Sequence, residues 1–223
     1  MARLGLTRDE VLTTLAAEFG QPVHLLGHVS RATFDASRDK LGRSGQASYH
    51  IDLDVCPLGA IGDGPPVALL SDPDLGLPLL SRVLSHPTVR DGHGLGAAGR
   101  RLIAREYRRV AAARRPMLAL YRRQLERLGY RVVSVPELRA ERTRPLAGVD
   151  LLDVSYCNAL PALHRGRPAL YFLPWGVPAL DGDAEAAIRG AGVLPVRLTS
   201  FAPLAQGMMR LTAGLHCFCG PLP

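Results

Sequence analysis

The chain has 223 residues, of which 47% are hydrophobic and 21% charged; it is long enough to bury a core and too apolar for disorder to dominate. No apolar run approaches the ~20 residues of a membrane span. The opening Met1-Ala2-Arg3-Leu4-Gly5 lacks the apolar stretch of a secretory signal, so a cytoplasmic protein without membrane attachment is expected.

Thr7-Arg8-Asp9-Glu10 has the capping-box pattern and predicts a helix to about Phe19, stopped by Gly20. Pro22 to Leu26 reads as a short strand, and residues 28–48 as a turn-rich loop. Tyr49 to Cys56 alternates with period two and predicts a strand. Tyr49, Ile51, Leu53 and Val55 share one face; His50, Asp52, Asp54 and Cys56 share the other. Pro65 and Pro66 lead into a second strand, Val67 to Leu70, giving a hairpin. Residues 98–128 form the longest helical stretch, with Leu118, Tyr121, Leu125 and Leu128 at helical spacing. Pro116 is expected to divide it near Arg115. Strands follow at Tyr130–Val135, Ala169–Leu173 and Val193–Leu198. A helix is predicted at Asp183–Arg189, with Asp181 or Asp183 near its N-cap. The alternation defines an α/β (α+β) class. The order strand, strand, helix, strand recurs loosely, over 49–70 with 100–135 and again over 169–198.

Four cysteines, Cys56, Cys157, Cys217 and Cys219, are too few and too scattered for a disulfide framework. Lys40 is the sole lysine behind a net charge of +7, which reads first as a GC-rich coding habit. The arginines between Arg100 and Arg127 are accordingly taken as a solvated helix face ahead of a nucleic-acid surface. Gly94-Leu95-Gly96-Ala97-Ala98-Gly99 matches a dinucleotide fingerprint in letters only, without the preceding strand or following acid, and reads as a turn feeding a helix. His216, Cys217 and Cys219 lack the second close pair that structural zinc needs, so no metal or cofactor is expected. A reactive Cys217 is the better reading, because backbone amides in the turn-like segment after Gly214 favour a thiolate; a plain buried cysteine is its alternative. His50 and Asp52, ~6.5–7 Å apart along a strand, would present an imidazole and a carboxylate to a common ligand. Trp175 reads as core or channel lining.

These residues resemble the guanidino-group modifying enzymes of the pentein superfamily: agmatine deiminase, arginine deiminase, dimethylarginine dimethylaminohydrolase and the amidinotransferases. Tyr49-His50-Ile51-Asp52-Leu53, followed by the Pro66–Leu70 strand, is similar to their His-x-Asp segment. Ala213-Gly214-Leu215-His216-Cys217, with Pro223 six residues on, is similar to their nucleophile segment. Tyr156-Cys157-Asn158-Ala159-Leu160 looks like their Tyr-x-Asn strand, and Trp175-Gly176-Val177-Pro178 through Asp183 like the stretch between. The order and spacing fit from Gly20 to the end.

The resemblance implies a propeller-like ring of ββαβ modules around a polar channel. It implies Cys217 as nucleophile, His50 as general acid/base, Asp52 as the grip on a guanidinium and Asn158 as a substrate-orienting residue. The expected function is a hydrolase or deiminase acting on the C–N bond of an arginine-, methylarginine- or agmatine-like compound through a thiouronium intermediate. The alternatives are an amidinotransferase, a non-catalytic pentein-like binding or assembly protein, and, last, a basic nucleic-acid-binding module. Two departures from the family stand out. No Glu-Gly-Gly segment precedes His50, so the chain reads as one pentein-like domain over 1–223, N-terminally truncated to about three of five modules, whose open sheet edges favour self-association. Asp54 and Asp153 are then the candidates to supply the missing acids. Phe218-Cys219-Gly220 replaces a polar run of the agmatine deiminases, leaving Cys219 as a second thiol or as packing.

Overall fold

A computed structural model of the chain describes residues 7–20, 22–24, 26–27, 51–85, 96–140, 146, 151, 153–201 and 215. Helix α1 (Arg8–Phe19) starts as its sequence dictates: the Thr7 hydroxyl accepts from the Glu10 amide, the Glu10 carboxylate accepts from the Thr7 amide, and Gly20 closes the helix at φ +61°. Residues 22–24 and 26–27 are not a strand. Gly27 is tied to Gln124, whose side chain donates to the Gly27 carbonyl and accepts from its amide, and Leu26 packs against Tyr121 and Leu125.

Two three-stranded sheets follow, built on one plan. In the first, β1 (Val55–Ala60) pairs antiparallel with β2 (Pro66–Asp72), and β2 pairs parallel with β3 (Arg131–Pro136). The crossover from β2 to β3 carries α2 (Pro73–Gly76), α3 (Leu80–Val83) and α4 (Ala97–Arg127). In the second, β4 (Leu160–His164) pairs antiparallel with β5 (Arg167–Phe172). Helix α5 (Pro178–Gly190) then leads to β6 (Leu194–Arg197), parallel to β5. Parallel strands require such a crossover, whereas the antiparallel pairs need only tight turns. The β4–β5 turn is Arg165-Gly166, both at positive φ (51° and 76°), as a two-residue hairpin demands. On β1 the register slips between Pro57 and Gly59, and Gly59 takes φ +74°; Pro57 is tolerated because β1 is an edge strand.

Strand β2 is buried on both faces, which suits its nearly unbroken apolar run. Ala68 and Leu70 pack with Val55, Met117, Leu118, Tyr121 and Leu125 under α4. Val67 and Leu69 belong to a larger core with Phe172, Leu180, Ala184 and Ile188 of the second unit. Arg131 at the start of β3 donates to the Ala191 carbonyl beyond α5, reinforcing that seam.

Three expectations are corrected. Residues Ile51–Leu53 form a 3-10 turn and the strand begins at Val55, so Ile51 and Asp52 do not lie on a strand. Tyr156-Cys157-Asn158 is a bend, not a strand. Helix α4 runs unbroken for 31 residues through Pro116. Proline removes one helical hydrogen bond, at a cost of ~3 kcal/mol, but buried Arg114, Met117 and Leu118 on either side hold both halves against the sheet. Among the described residues there are two ββαβ units, and their two sheets do not close into a ring. Among the described residues no helix is long and apolar enough to cross a membrane.

Gly76 at the end of α2 is a fixed point of this packing: a Cβ there would land on the Glu137 backbone carbonyl. Gly76→Ala is therefore expected to lower stability by ~1–3 kcal/mol, as overpacking does, read from the midpoint of urea unfolding; a variant as stable as the parent would show that this approach is looser than described.

Candidate functional site

Asp52 and Asn158, two of the residues singled out in sequence, meet in the structure. Asn158 Nδ2 donates to Asp52 Oδ2 at 2.6 Å, across 106 residues of chain. The turn that carries Asp52 is pinned from both units. The Leu53 carbonyl accepts from Ser71 Oγ on β2 (3.0 Å) and from Ser155 Oγ (2.5 Å). Ser155 Oγ also accepts from the Cys157 amide, and the Ala159 amide closes a tight turn onto the Cys157 carbonyl. These bonds fix the bend that presents Asn158. A carbonyl engaged by two hydroxyls in this way cannot serve a sheet ladder, which is the local reason that 51–53 turns rather than extends.

Asp52 lines a cleft of about 460 Å³ between the 22–26 segment, the C-terminal end of α4 and the start of the second unit. This is the size of a small-molecule site. Cys56 and Cys157 also line it. Both are free and buried. Burial, and then the negative charge of Asp52, push the Cys56 thiol up to about 12. Burial, and then the neighbouring Cys56, push Cys157 well above the thiol range; Ser71 Oγ, 3.5 Å away, opposes the shift. Both stay protonated at neutral pH and neither is a thiolate nucleophile.

Beneath the turn lies a charge cluster that sequence reading missed. Arg114 is fully buried on α4; it donates to Asp54 Oδ1 and its Nε lies 2.7 Å from Glu137 Oε1. Asp54 and Glu137 are themselves fully buried. The expectation that Asp54 shares a polar strand face with Asp52, and that Arg114 lies on a solvated helix face, is overturned. The signal was present: Tyr107, Val110, Arg114, Met117, Tyr121 and Leu125 fall on one helical stripe, and all are buried. Asp54 is consumed by Arg114, and Asp153 accepts from the Ala140 amide at 2.6 Å with Arg139 4.0 Å away, so each has a structural duty. The helix expected from Asp183 starts at Pro178, with Val177 as an N-cap that has no side-chain bond; Asp181 sits inside its first turn and ties the preceding loop, accepting from the amides of Trp175 and Gly176 and from the Tyr156 hydroxyl.

His50, Cys217 and Cys219 lie outside the described residues, as do His216, Gly94 and Leu95. Leu215, two residues before Cys217, is buried in the larger core with Leu53 and Cys157. Gly96 enters as the N-cap of α4, with no side-chain cap. No group of three His, Cys, Asp or Glu side chains among the described residues could hold a metal ion. No family model matches the chain, and no curated protein matches it.

The cluster sets two expectations. Two acids share Arg114, and burial, opposed by Arg114 and aided by Asp54, pushes Glu137 up to about 7 from 4.5. A carboxyl raised in the folded state contributes stability that is fully present below about pH 4.5 and lost as pH rises through about 7. Urea midpoints are expected to fall between about pH 4.5 and about pH 7, and Glu137→Gln to flatten that fall; an unchanged slope would remove Glu137 as its source. Arg114→Met strands two buried carboxylates and is expected to cost ~3–5 kcal/mol, measurable by the same unfolding.

Proposed function

We propose that the chain is a cysteine-dependent hydrolase of guanidino compounds, of the pentein type. The observation that carries this reading is the Asp52–Asn158 bond at a small-molecule-sized cleft where two ββαβ units meet. It joins the two residues that the resemblance assigns to substrate binding, from separate stretches of chain. The repeated ββαβ plan is the module that the resemblance implies, and the burial of Leu215 in the shared core is consistent with the nucleophile segment belonging to the same body.

A guanidinium is planar and resonance-stabilised, so its carbon is a poor electrophile until it is held and crowded. The Asp52 carboxylate engages its edge through charge-assisted hydrogen bonds, and Asn158 holds that carboxylate in place. The Cys217 thiolate attacks the carbon, forming a C–S bond; His50 gives its proton to the departing nitrogen as the C–N bond breaks. The resulting thiouronium is attacked by water, whose proton passes to His50. The C–S bond then breaks, releasing a ureido product and restoring the thiolate. The sum is guanidinium plus water to urea derivative plus ammonium.

Ammonia release from a panel of guanidines is the test. Cys217→Ala is expected to abolish it. Asp52→Asn is expected to lower kcat/KM about 100-fold, the scale of a lost hydrogen bond to a charged group. Ammonia release that persists in Cys217→Ala, or its absence from the parent protein with every guanidine, would defeat the proposal.

A further inference from the structure

The walls of the cleft carry information about the rest of the ligand. Leu26, Ile51, Val55, Leu125, Leu128 and Pro161 line it. Asp52 is the sole carboxylate among the described lining residues, and there is no lysine or arginine among them. His24 is the one described lining residue able to carry positive charge, and it is exposed, where water screens it. An amino-acid substrate would bring an α-carboxylate and an α-ammonium into this apolar space. Burying a charge against these apolar walls is costly, and a second cation in a diamine-derived guanidine meets the same walls.

We infer that the preferred ligand is a guanidine with an uncharged, apolar tail, an alkyl or aralkyl guanidine, whose head meets Asp52 and whose tail lies along Leu26, Leu125 and Leu128. This rests on the guanidino reading of Asp52 and adds to it the selection of the tail. The selection comes from two sources: the apolar area that the tail removes from water, and the desolvation that the cleft imposes on a charged tail.

Calorimetric titration of the full chain with phenethylguanidine, agmatine and arginine tests it, with ammonia release measured in parallel. Phenethylguanidine is expected to bind at least about tenfold more tightly than either of the others. Leu128→Arg, which places a cation on the wall, is expected to shrink its advantage over arginine. Leu26→Arg makes the same comparison at another lining position if Leu128→Arg melts early. Equal or tighter binding of arginine or agmatine overturns the inference, and Asp52-dependent ammonia release from them would leave the hydrolase reading intact. Absence of binding by all three overturns the inference as well. Tight phenethylguanidine binding without ammonia from any guanidine supports the tail selection while removing the hydrolase.

Discussion

One buried guanidinium organises the first half of this molecule. Arg114 projects from the middle of α4 into a space closed to water and there meets Asp54, which precedes β1, and Glu137, which follows β3. A lysine could not reproduce this, because only the planar fork of arginine offers several donors at fixed angles to two acids. Taking such ions out of water costs several kcal/mol each, and the attraction between them offsets that only while every partner is in place. The helix crossover, the start of the hairpin and the end of the parallel strand are therefore energetically conditional on one another.

The same constraint reaches the cleft through covalent neighbours. Asp54 fixes the exit of the 3-10 turn, and Leu53 one residue earlier offers its carbonyl to serines from both units. Asp52, a further residue back, is then aimed at Asn158. A side chain at the junction of two repeated units is thus positioned by a buried ion cluster in one unit and by a hydrogen-bonded bend leading into the other.

Much of the fold was legible because it follows from local rules. The Thr7 capping box, the helix from 97 to 127, and the strands β2, β3, β5 and β6 are signalled by caps, periodicity and β-branched runs, and each forms close to where those signals put it. The failures are tertiary. The alternation over 49–56 is real in the letters, but Leu53 gives its carbonyl to side chains 18 and 102 residues away rather than to a ladder. Pro116 is tolerated because the helix is held by burial on both sides of it. The charge of Arg114 masked its place on the apolar stripe, where its spacing had placed it with Tyr107 and Tyr121. The Asp52–Asn158 pair spans 106 residues; the resemblance named both members, but nothing in local spacing brings them together.

The electrostatics of the cleft also constrain where a nucleophile can stand on the guanidino reading. The carboxylate that attracts a cation repels a thiolate, and Cys56 shows the effect: burial and the charge of Asp52 both hold its proton on. A nucleophile beside that carboxylate would be disarmed by the group that binds the substrate. A planar guanidinium resolves the conflict by geometry. Its N–H groups lie in the molecular plane and meet the carboxylate edge-on, whereas the vacant π orbital of its carbon opens perpendicular to that plane. The attacking sulfur must therefore approach the face of the cation, away from the Asp52 oxygens, with the positive charge of the substrate between the two anions. Cys56 and Cys157, protonated in the lining of the cleft, do not meet that condition, which agrees with the resemblance in giving the nucleophile's part to Cys217 and not to them.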